Sequence, residues 1–352
     1  MGDHPANMPH RHAAAPQGPA LARPAAQPRK RWHDAPHYAA LDLGTNNCRL
    51  LIARPQGEGF AVVDAFSRIV RLGEGLASTG RLSDAAIDRT IAALRVCSDK
   101  LRRRNVLVAR SVATEACRQA ANGADFIDRA YRETGIRLDI ISAEEEARLA
   151  VLGCHALMEP GDGPALIFDI GGGSTELVLI DASGPEPRVL DWHSAPWGVV
   201  SLTEHAGDAD AADETARLAA YARMRKLATE SFAKFAARLP NSPVTPRLLG
   251  TSGTVTTLAS VYLELDHYDR AQVDGLIVPA ESMRKISRDL SGMSLAERSR
   301  FPCIGTERAD LVVAGCAILE SIMDVWPAER LGVADRGIRE GILRRLMGAN
   351  RP

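Results

Sequence analysis

The chain has 352 residues, 45% hydrophobic and 25% charged, with a formal net charge of −1. That length suits about two domains with real cores, and the near-zero charge excludes a nucleic-acid binder held by bulk basic charge. Cys48, Cys97, Cys117, Cys154, Cys303 and Cys316 lie far apart without a CxxC spacing, which excludes a disulfide framework or zinc ribbon and reads as reduced thiols of a cytoplasmic protein. No run of about 18 apolar residues suggests a membrane helix, and the N-terminus has no apolar leader core. Arginine outnumbers lysine 38 to 5, a bias that suits phosphate and carboxylate recognition but also follows from genome composition.

Residues 1–37 hold seven Pro, nine Ala and five of the nine His, and this composition reads as a disordered tail. The folded part opens at residues 38–53, where two apolar runs flank a Gly/Thr/Asn turn, as in a β-hairpin. Apolar Ile87, Ile91, Leu94 and Leu101 predict a helix over 84–103. A strand at 106–112, a helix at 125–134, a strand at 137–141 and a helix after Ser142 follow. The stretch 158–164, rich in Pro, Gly and Asp, reads as a domain boundary near residue 160.

Residues 165–180 then repeat the strand, Gly-rich turn and strand of the opening hairpin. Superposing Asp42-Leu-Gly on Asp169-Ile-Gly pairs Leu50 with Leu177, an offset of 127 residues. The repeat predicts two related α/β domains, 38–160 and 161–352, facing each other across a cleft. A long helix at 209–239, a third Gly/Ser/Thr turn at 250–254 leading into a helix at 255–265, and helices at 308–325 and 336–347 around a strand at 330–333 complete the chain. The last helix can pack back on the first domain.

Gly-rich turns cradle phosphate because bare backbone lets N–H groups approach oxygen and neighbouring hydroxyls add donors. Three candidates are Gly44, Thr45, Asn46 and Asn47; Gly171, Gly172, Gly173, Ser174 and Thr175; and Gly250, Ser252 and Gly253. A P-loop needs GK[ST], which is absent, and a dinucleotide fingerprint needs a helix where the chain continues Glu-Leu-Val-Leu-Ile. Asp42 and Asp169 sit just before the repeated turns. Each either caps its turn or, beside a bound phosphate, holds Mg²⁺, which takes one or two carboxylates plus phosphate oxygens and water. Glu176, on a strand among apolar neighbours, is a third acid that can face the cleft. Ser142 with Glu145 spells a capping box. Glu146 is not needed for that cap, and a carboxylate near other carboxylates can serve as a general base. Arg118, after a strand end, can fork onto a phosphate or simply be a surface helix residue.

Taken together, Asp42-Leu-Gly-Thr-Asn-Asn, Ala113-Thr-Glu-Ala-Cys-Arg118, Ile141-Ser-Ala-Glu-Glu-Glu-Ala-Arg148, Asp169-Ile-Gly-Gly-Gly-Ser-Thr-Glu176, Gly250-Thr-Ser-Gly-Thr254 and Gly337-Ile-Arg-Glu-Gly341 resemble the exopolyphosphatase/guanosine pentaphosphate phosphohydrolase family in order and spacing. The resemblance covers about residues 38–347. It implies an α/β, actin-like (ribonuclease-H-type) duplicated two-domain fold with an interdomain cleft, Mg²⁺-dependent removal of a terminal phosphate, and a homodimer. On the family pattern Glu146 matches the base that activates water, Asp169 and Glu176 the acids that position metal or water, Arg118 the phosphate-binding arginine, and the first two turns the phosphate cradle. Asn47 stands where the family often has Ser, and Cys117 where it often has Leu. Longer members carry further helical domains with a His-Asp motif, and this chain resembles the short members.

The expected reaction is in-line water attack on a terminal phosphoryl group of inorganic polyphosphate. Guanosine pentaphosphate is the alternative substrate, with the same chemistry and a nucleotide leaving group. A third expectation, of another class, is a nucleotide-binding regulator or ATPase of the actin-like superfamily with no polyphosphate activity.

Overall fold

The chain builds two mixed sheets, each starting with the same antiparallel hairpin; this is a computed structural model describing residues 35–184, 187–207, 209–240 and 246–349. The predicted tail up to residue 34 and the Pro-rich stretch at 241–245 lie outside the described residues. From Pro36 onward the chain forms one compact unit containing both sheets.

The first lobe contains β1 (His37–Leu43), β2 (Asn47–Gln56), β3 (Gly59–Ile69), α1 (Leu76–Thr79), α2 (Asp84–Arg103), β4 (Val106–Ala113), α3 (Glu115–Gln119), α4 (Gly123–Thr134), β5 (Leu138–Ile140) and α5 (Ala143–Cys154). Its sheet runs β3-β2-β1-β4-β5, with β1 antiparallel to β2 and parallel to β4. The apolar run of β1 suits this central position, because it is covered on both faces. Ser83 starts α2 by accepting the N–H of Ala86 at 3.3 Å.

The second lobe contains β6 (Pro164–Ile170), β7 (Thr175–Asp181), β8 (Arg188–Ala195), α6 (Val199–Ala206), α7 (Glu214–Ala236), β9 (Arg247–Thr251), α8 (Gly253–Tyr262), α9 (Arg270–Val273), β10 (Ile277–Pro279), α10 (Ala280–Gly292), α11 (Leu295–Arg298), α12 (Val312–Val325), β11 (Arg330–Ala334) and α13 (Ile338–Ala349). Its order is β10-β11-β9-β6-β7-β8. Apart from the added edge strand β10, this is the first sheet again. Asp42 faces Arg49 across the first hairpin and Asp169 faces Glu176 across the second, both 127 residues on. Two copies of this strand order make the duplicated, ribonuclease-H-type actin-like fold.

The helices α5 and α13 lie between the sheets. Leu149 and Ala150 of α5 pack with Ile342 and Leu343 of α13 against Tyr38, Ala40 and Leu51 of the first sheet. Ala147, Val151 and Cys154, on the other side of α5, pack against Ala165, Ile167 and Val178 of the second. Thus the C-terminal helix covers the first sheet, while α5 carries its first turn, with Glu146, to the seam. Larger clusters on the outer faces bury α2 and α4 against one sheet and α7, α8 and α12 against the other. All six cysteines are free and five are buried. Burial pushes the Cys117 and Cys316 thiols up to about 12, so they behave as inert core groups. No helix among the described residues is long and apolar enough to cross a membrane.

Candidate active site

The two repeated turns meet at the seam. In each, the first glycine donates its N–H to the carbonyl three residues on, Gly44 to Asn47 and Gly171 to Ser174, both at 2.9 Å. Their approach explains the glycines of the second turn. A Cβ on Gly172 would stand 2.9 Å from Thr45 Cβ, and one on Gly173 would stand 2.8 Å from Thr45 Oγ1. Close backbone approach therefore fixes these positions, whatever they also offer a ligand.

Around this contact lies a cleft cavity of about 150 Å³. Gly44, Thr45, Asn46 and Asn47 line it from the first lobe, and Gly171, Gly172, Gly173 and Ser174 line it from the second. Asp42, Asp169 and Glu146 also face it, together with Glu115. The third segment contributes Ser252 and Gly253 at the N-terminus of α8. Three lining atoms, Asp42 Oδ1, Asn46 Oδ1 and Ser252 Oγ, are buried without hydrogen-bond partners. Unsatisfied buried polar atoms gathered on one cavity indicate a polar ligand. Ser252 also has φ 118°, backbone strain of the kind found at functional sites.

Several sequence expectations are corrected by the geometry. Gly250 lies inside β9, paired with Phe168 and Val333, and the Phe168 ring occupies the space its Cβ would take. It is a packing glycine away from the cavity. Thr175 is fully buried and donates its hydroxyl to Trp197 O at 2.7 Å. Glu176 does not reach the cavity either: Ser174 Oγ and Ser194 Oγ both donate to its Oε1 at 2.8 Å. Asp42, Asp169 and Glu176 therefore do not form a three-acid metal cluster, and no group of three or more such ligands exists among the described residues. Arg118 also sits behind the wall. It donates to Ile141 O at 2.7 Å, to Glu146 Oε2 at 3.2 and 3.3 Å, and to Glu115. Two carboxylates in a poorly solvated place bind its guanidinium. The capping box is half formed: Ser142 Oγ accepts the N–H of Glu145 at 3.2 Å, while the Glu145 carboxylate takes Arg110 at 2.6 Å.

The cations that do face the cavity are Arg49, Arg308, Arg336 and Arg339; none was an expected site residue, although Arg339 stands within the motif Gly337-Ile-Arg-Glu-Gly341. A Cβ on Gly253 would lie 3.7 Å from Arg49 Nη2 and 3.8 Å from Arg308 Nη1, so two guanidinium groups converge beside the α8 N-terminus. Arg308 is steadied by Thr257 Oγ1 at 3.1 Å. A signal for Arg49 existed: it breaks an apolar β2 run at the register position opposite Asp42.

The acids share one electrostatic situation. Burial holds the Asp42 carboxyl above its usual range, and the charges of Arg49 and Arg339 pull it back. Burial and the charge of Asp42 raise Asp169 to about 6. Burial and the charge of Asp169 raise Glu176 to about 7, against its two serine hydrogen bonds. Burial, then the charge of Glu176, holds Glu146 well above the carboxylate range, with Arg118 opposing. Such a set favours either a proton or a bound cation.

The fold and this cleft define an actin-like protein with a duplicated polar turn at the lobe seam, an acidic floor and an arginine wall. The sequence profile of the Ppx/GppA phosphatase family matches residues 51–350, and the chain belongs to that family. It is 32% identical over 326 residues to a guanosine-5'-triphosphate,3'-diphosphate pyrophosphatase of Aeromonas salmonicida, covering 90% of this chain but 61% of that protein. It is 31% identical over 324 residues to exopolyphosphatase 2 of Mycobacterium tuberculosis, covering 88% of this chain and 98% of that one. Among solved structures, the Aquifex aeolicus Ppx/GppA family member superposes with a TM-score of 0.72 at 29% identity, over 90% of this chain and 99% of that one.

Proposed function

We propose that the protein is an exopolyphosphatase, hydrolysing the terminal phosphoanhydride of inorganic polyphosphate with water activated by Glu146. The observation that carries this reading is the position of Glu146: buried, raised in proton affinity, and facing a cavity whose other walls are hydrogen-bonding turns and arginines. A base of raised pKa accepts the water proton more readily as the oxygen–phosphorus bond forms. Arg118, bonded to Glu146 Oε2, orients that carboxylate, a role revised from direct phosphate binding. Arg49 and Arg308 take over the phosphate contact, with the free N–H groups of the turns and of the α8 N-terminus. Phosphoryl transfer is mostly positioning and charge stabilisation, which this wall supplies.

Mg²⁺ fits the donor set. The orphaned Asp42 Oδ1 and the neighbouring Asp169 give the one or two carboxylates that this ion takes when phosphate oxygens complete its shell. Bound there, it would neutralise charge on the phosphoryl oxygens. Glu176 stays behind Ser174 as a buried charge that raises the proton affinity of Glu146. The division near residue 160 into two actin-like domains, a homodimeric assembly and a cytoplasmic location belong to the same reading.

Guanosine pentaphosphate is the second substrate to consider, because the Aeromonas relative bears that name at the same level of identity as the mycobacterial one. Phosphate release from both substrates, with Mg²⁺ and with chelator, decides. Faster Mg²⁺-dependent release from polyphosphate supports the reading, and preference for the pentaphosphate replaces it. Tight nucleotide binding with no release from either would make the protein a binding regulator.

A further inference from the structure

Residues 70–75, between β3 and α1, have no role in the chemistry above, yet they hold the first turn and reach both flanks of the second lobe. The N–H groups of Val70 and Arg71 donate to Asn46 O at 2.8 and 3.0 Å, and Gly73 N–H donates to Thr45 O at 2.9 Å. On one side, Arg71 Nη1 lies 3.0 Å from Asp310 Oδ2, and Nη2 donates to Glu307 O at 3.4 Å. On the other, Gly75 N–H donates to Glu204 Oε1 on α6 at 2.8 Å. The other oxygen of Asp310, Oδ1, is buried without a partner.

Asp310 is not an arbitrary anchor. It follows Arg308 by two residues, and the carbonyl of Arg308 accepts the N–H groups of Leu311 and Val312 at 3.0 Å each. Arg308, Leu311 and Val312 all line the cavity. The strap therefore connects the first turn, through one ion pair, to the segment that presents Arg308. Arg71 does this from a left-handed backbone, φ 47°, which a non-glycine residue keeps only where its surroundings over-determine it. Those surroundings are visible: Arg89 on α2 donates to Val70 O at 3.0 Å and to Arg71 O at 3.3 Å. The second turn too is held by the segment after its sheet edge, but no ion pair from that segment to the other lobe accompanies the grip among the described residues. Val199, Val200 and Ser201 donate to Gly171 O and Gly172 O from within the same lobe.

We propose that Arg71 is a positioning residue, which through Asp310 holds the first turn and Arg308 at the separation at which both meet one phosphate chain. The proposal rests on the phosphohydrolase reading for its substrate. Arg71 and Asp310 are each about one-third exposed, 35% and 27%, so the pair can open and close. Losing it lowers the fraction of molecules with a binding-competent cleft, and apparent affinity falls by that fraction. Saturating substrate recloses the cleft, so turnover is preserved.

The test is steady-state phosphate release from polyphosphate by Arg71→Met, Asp310→Asn and the double variant, with thermal midpoints for each. The expected result for each single variant is KM raised about threefold to tenfold with kcat within about twofold. The double variant should be no worse than either single, because both changes remove one interaction. The charge-exchanged protein, Arg71→Asp with Asp310→Arg, should recover most of the KM. Wild-type KM in Arg71→Met overturns the proposal. So do additive losses in the double variant, which would place Arg71 on the substrate itself. If the wild-type protein releases no phosphate from either substrate, the phosphohydrolase reading fails instead. Small-angle scattering then decides the strap alone: a larger radius of gyration in Arg71→Met upholds it, and an unchanged one overturns it.

Discussion

The two hairpins share a fold and differ in charge. Both pair an Asp at the end of the first strand with a polar residue of the second, Asp42 with Arg49 and Asp169 with Glu176. Arg49 faces the cavity, whereas Glu176 is turned behind Ser174 and satisfied by two serines. One copy thus presents a cation to the cavity. The other supplies a buried negative charge that raises the proton affinity of Glu146. The duplication fixes where polar groups can stand, and at a single register position one copy faces the cavity while the other lies behind it and acts on Glu146. The turns differ too: a Cβ on Gly171 would stand 2.9 Å from Ser174 O, one on the equivalent Gly44 would stand 3.7 Å from Asn47 O, and Gly172 in addition abuts Thr45.

The comparison can be broken most severely at the paired acids. Asp42→Asn and Asp169→Asn should each lower kcat/KM by about 100-fold or more and weaken the Mg²⁺ dependence, since a bound cation contributes several kcal/mol to the transition state. Mg²⁺ titrations of kcat/KM check this, and unequal losses would show which copy carries the ion. Arg49→Met should raise KM about tenfold to 100-fold, the range for losing a hydrogen bond to a charged group. Glu176→Gln, in contrast, should leave KM near wild type and lower the pH at which the base titrates. Steady-state pH profiles separate the two.

The glycines sharpen the contrast at a smaller scale. Gly172→Ala should cost about 1–3 kcal/mol by overpacking the seam, and Gly44→Ala much less, as read by denaturant midpoints. A further expected effect is on pH dependence. Asp169 and Glu176 have folded pKa values of about 6 and about 7, above their ordinary ones. Their contribution to stability is therefore full below about pH 4 and is lost as pH rises through 6 to 7. In chelator the thermal midpoint should fall from pH 5 to pH 8 for this reason, and added Mg²⁺ should restore more of it at pH 8 than at pH 5.

Local patterns made much of this legible. The apolar spacing of Ile87, Ile91 and Leu94 predicts α2 with its observed bounds, and the 127-residue offset predicts both hairpins. Glu146 could be singled out because Ser142 and Glu145 already accounted for the helix start. What was not legible depends on long-range meeting. Arg308 and Arg339 come from segments more than 250 residues after Arg49's strand begins, and no local pattern marks them as neighbours. The phosphate role expected of Arg118 was revised because Glu115 and Glu146 accept from its Nη1 and Nη2, a neighbourhood visible only in three dimensions. Gly250 was misread because a turn-like Gly/Thr/Ser string can also be a strand end that needs room for an aromatic ring. The strands β3 and β8 were missed because neither shows a strict apolar alternation: β3 has no buried position at all and β8 only Ala195, so no core face stands out in either sequence.

The most direct test of the account is single-turnover phosphate release from polyphosphate by Glu146→Gln in saturating Mg²⁺, with substrate affinity measured on the same protein. Glutamine keeps the size of the side chain and one oxygen that can accept from Arg118, but cannot accept the water proton. The account predicts a rate at least about 100-fold below wild type, the lower end of general-base effects, with affinity within a few-fold. A near-normal rate would remove Glu146 from the role of base and contradict the mechanism.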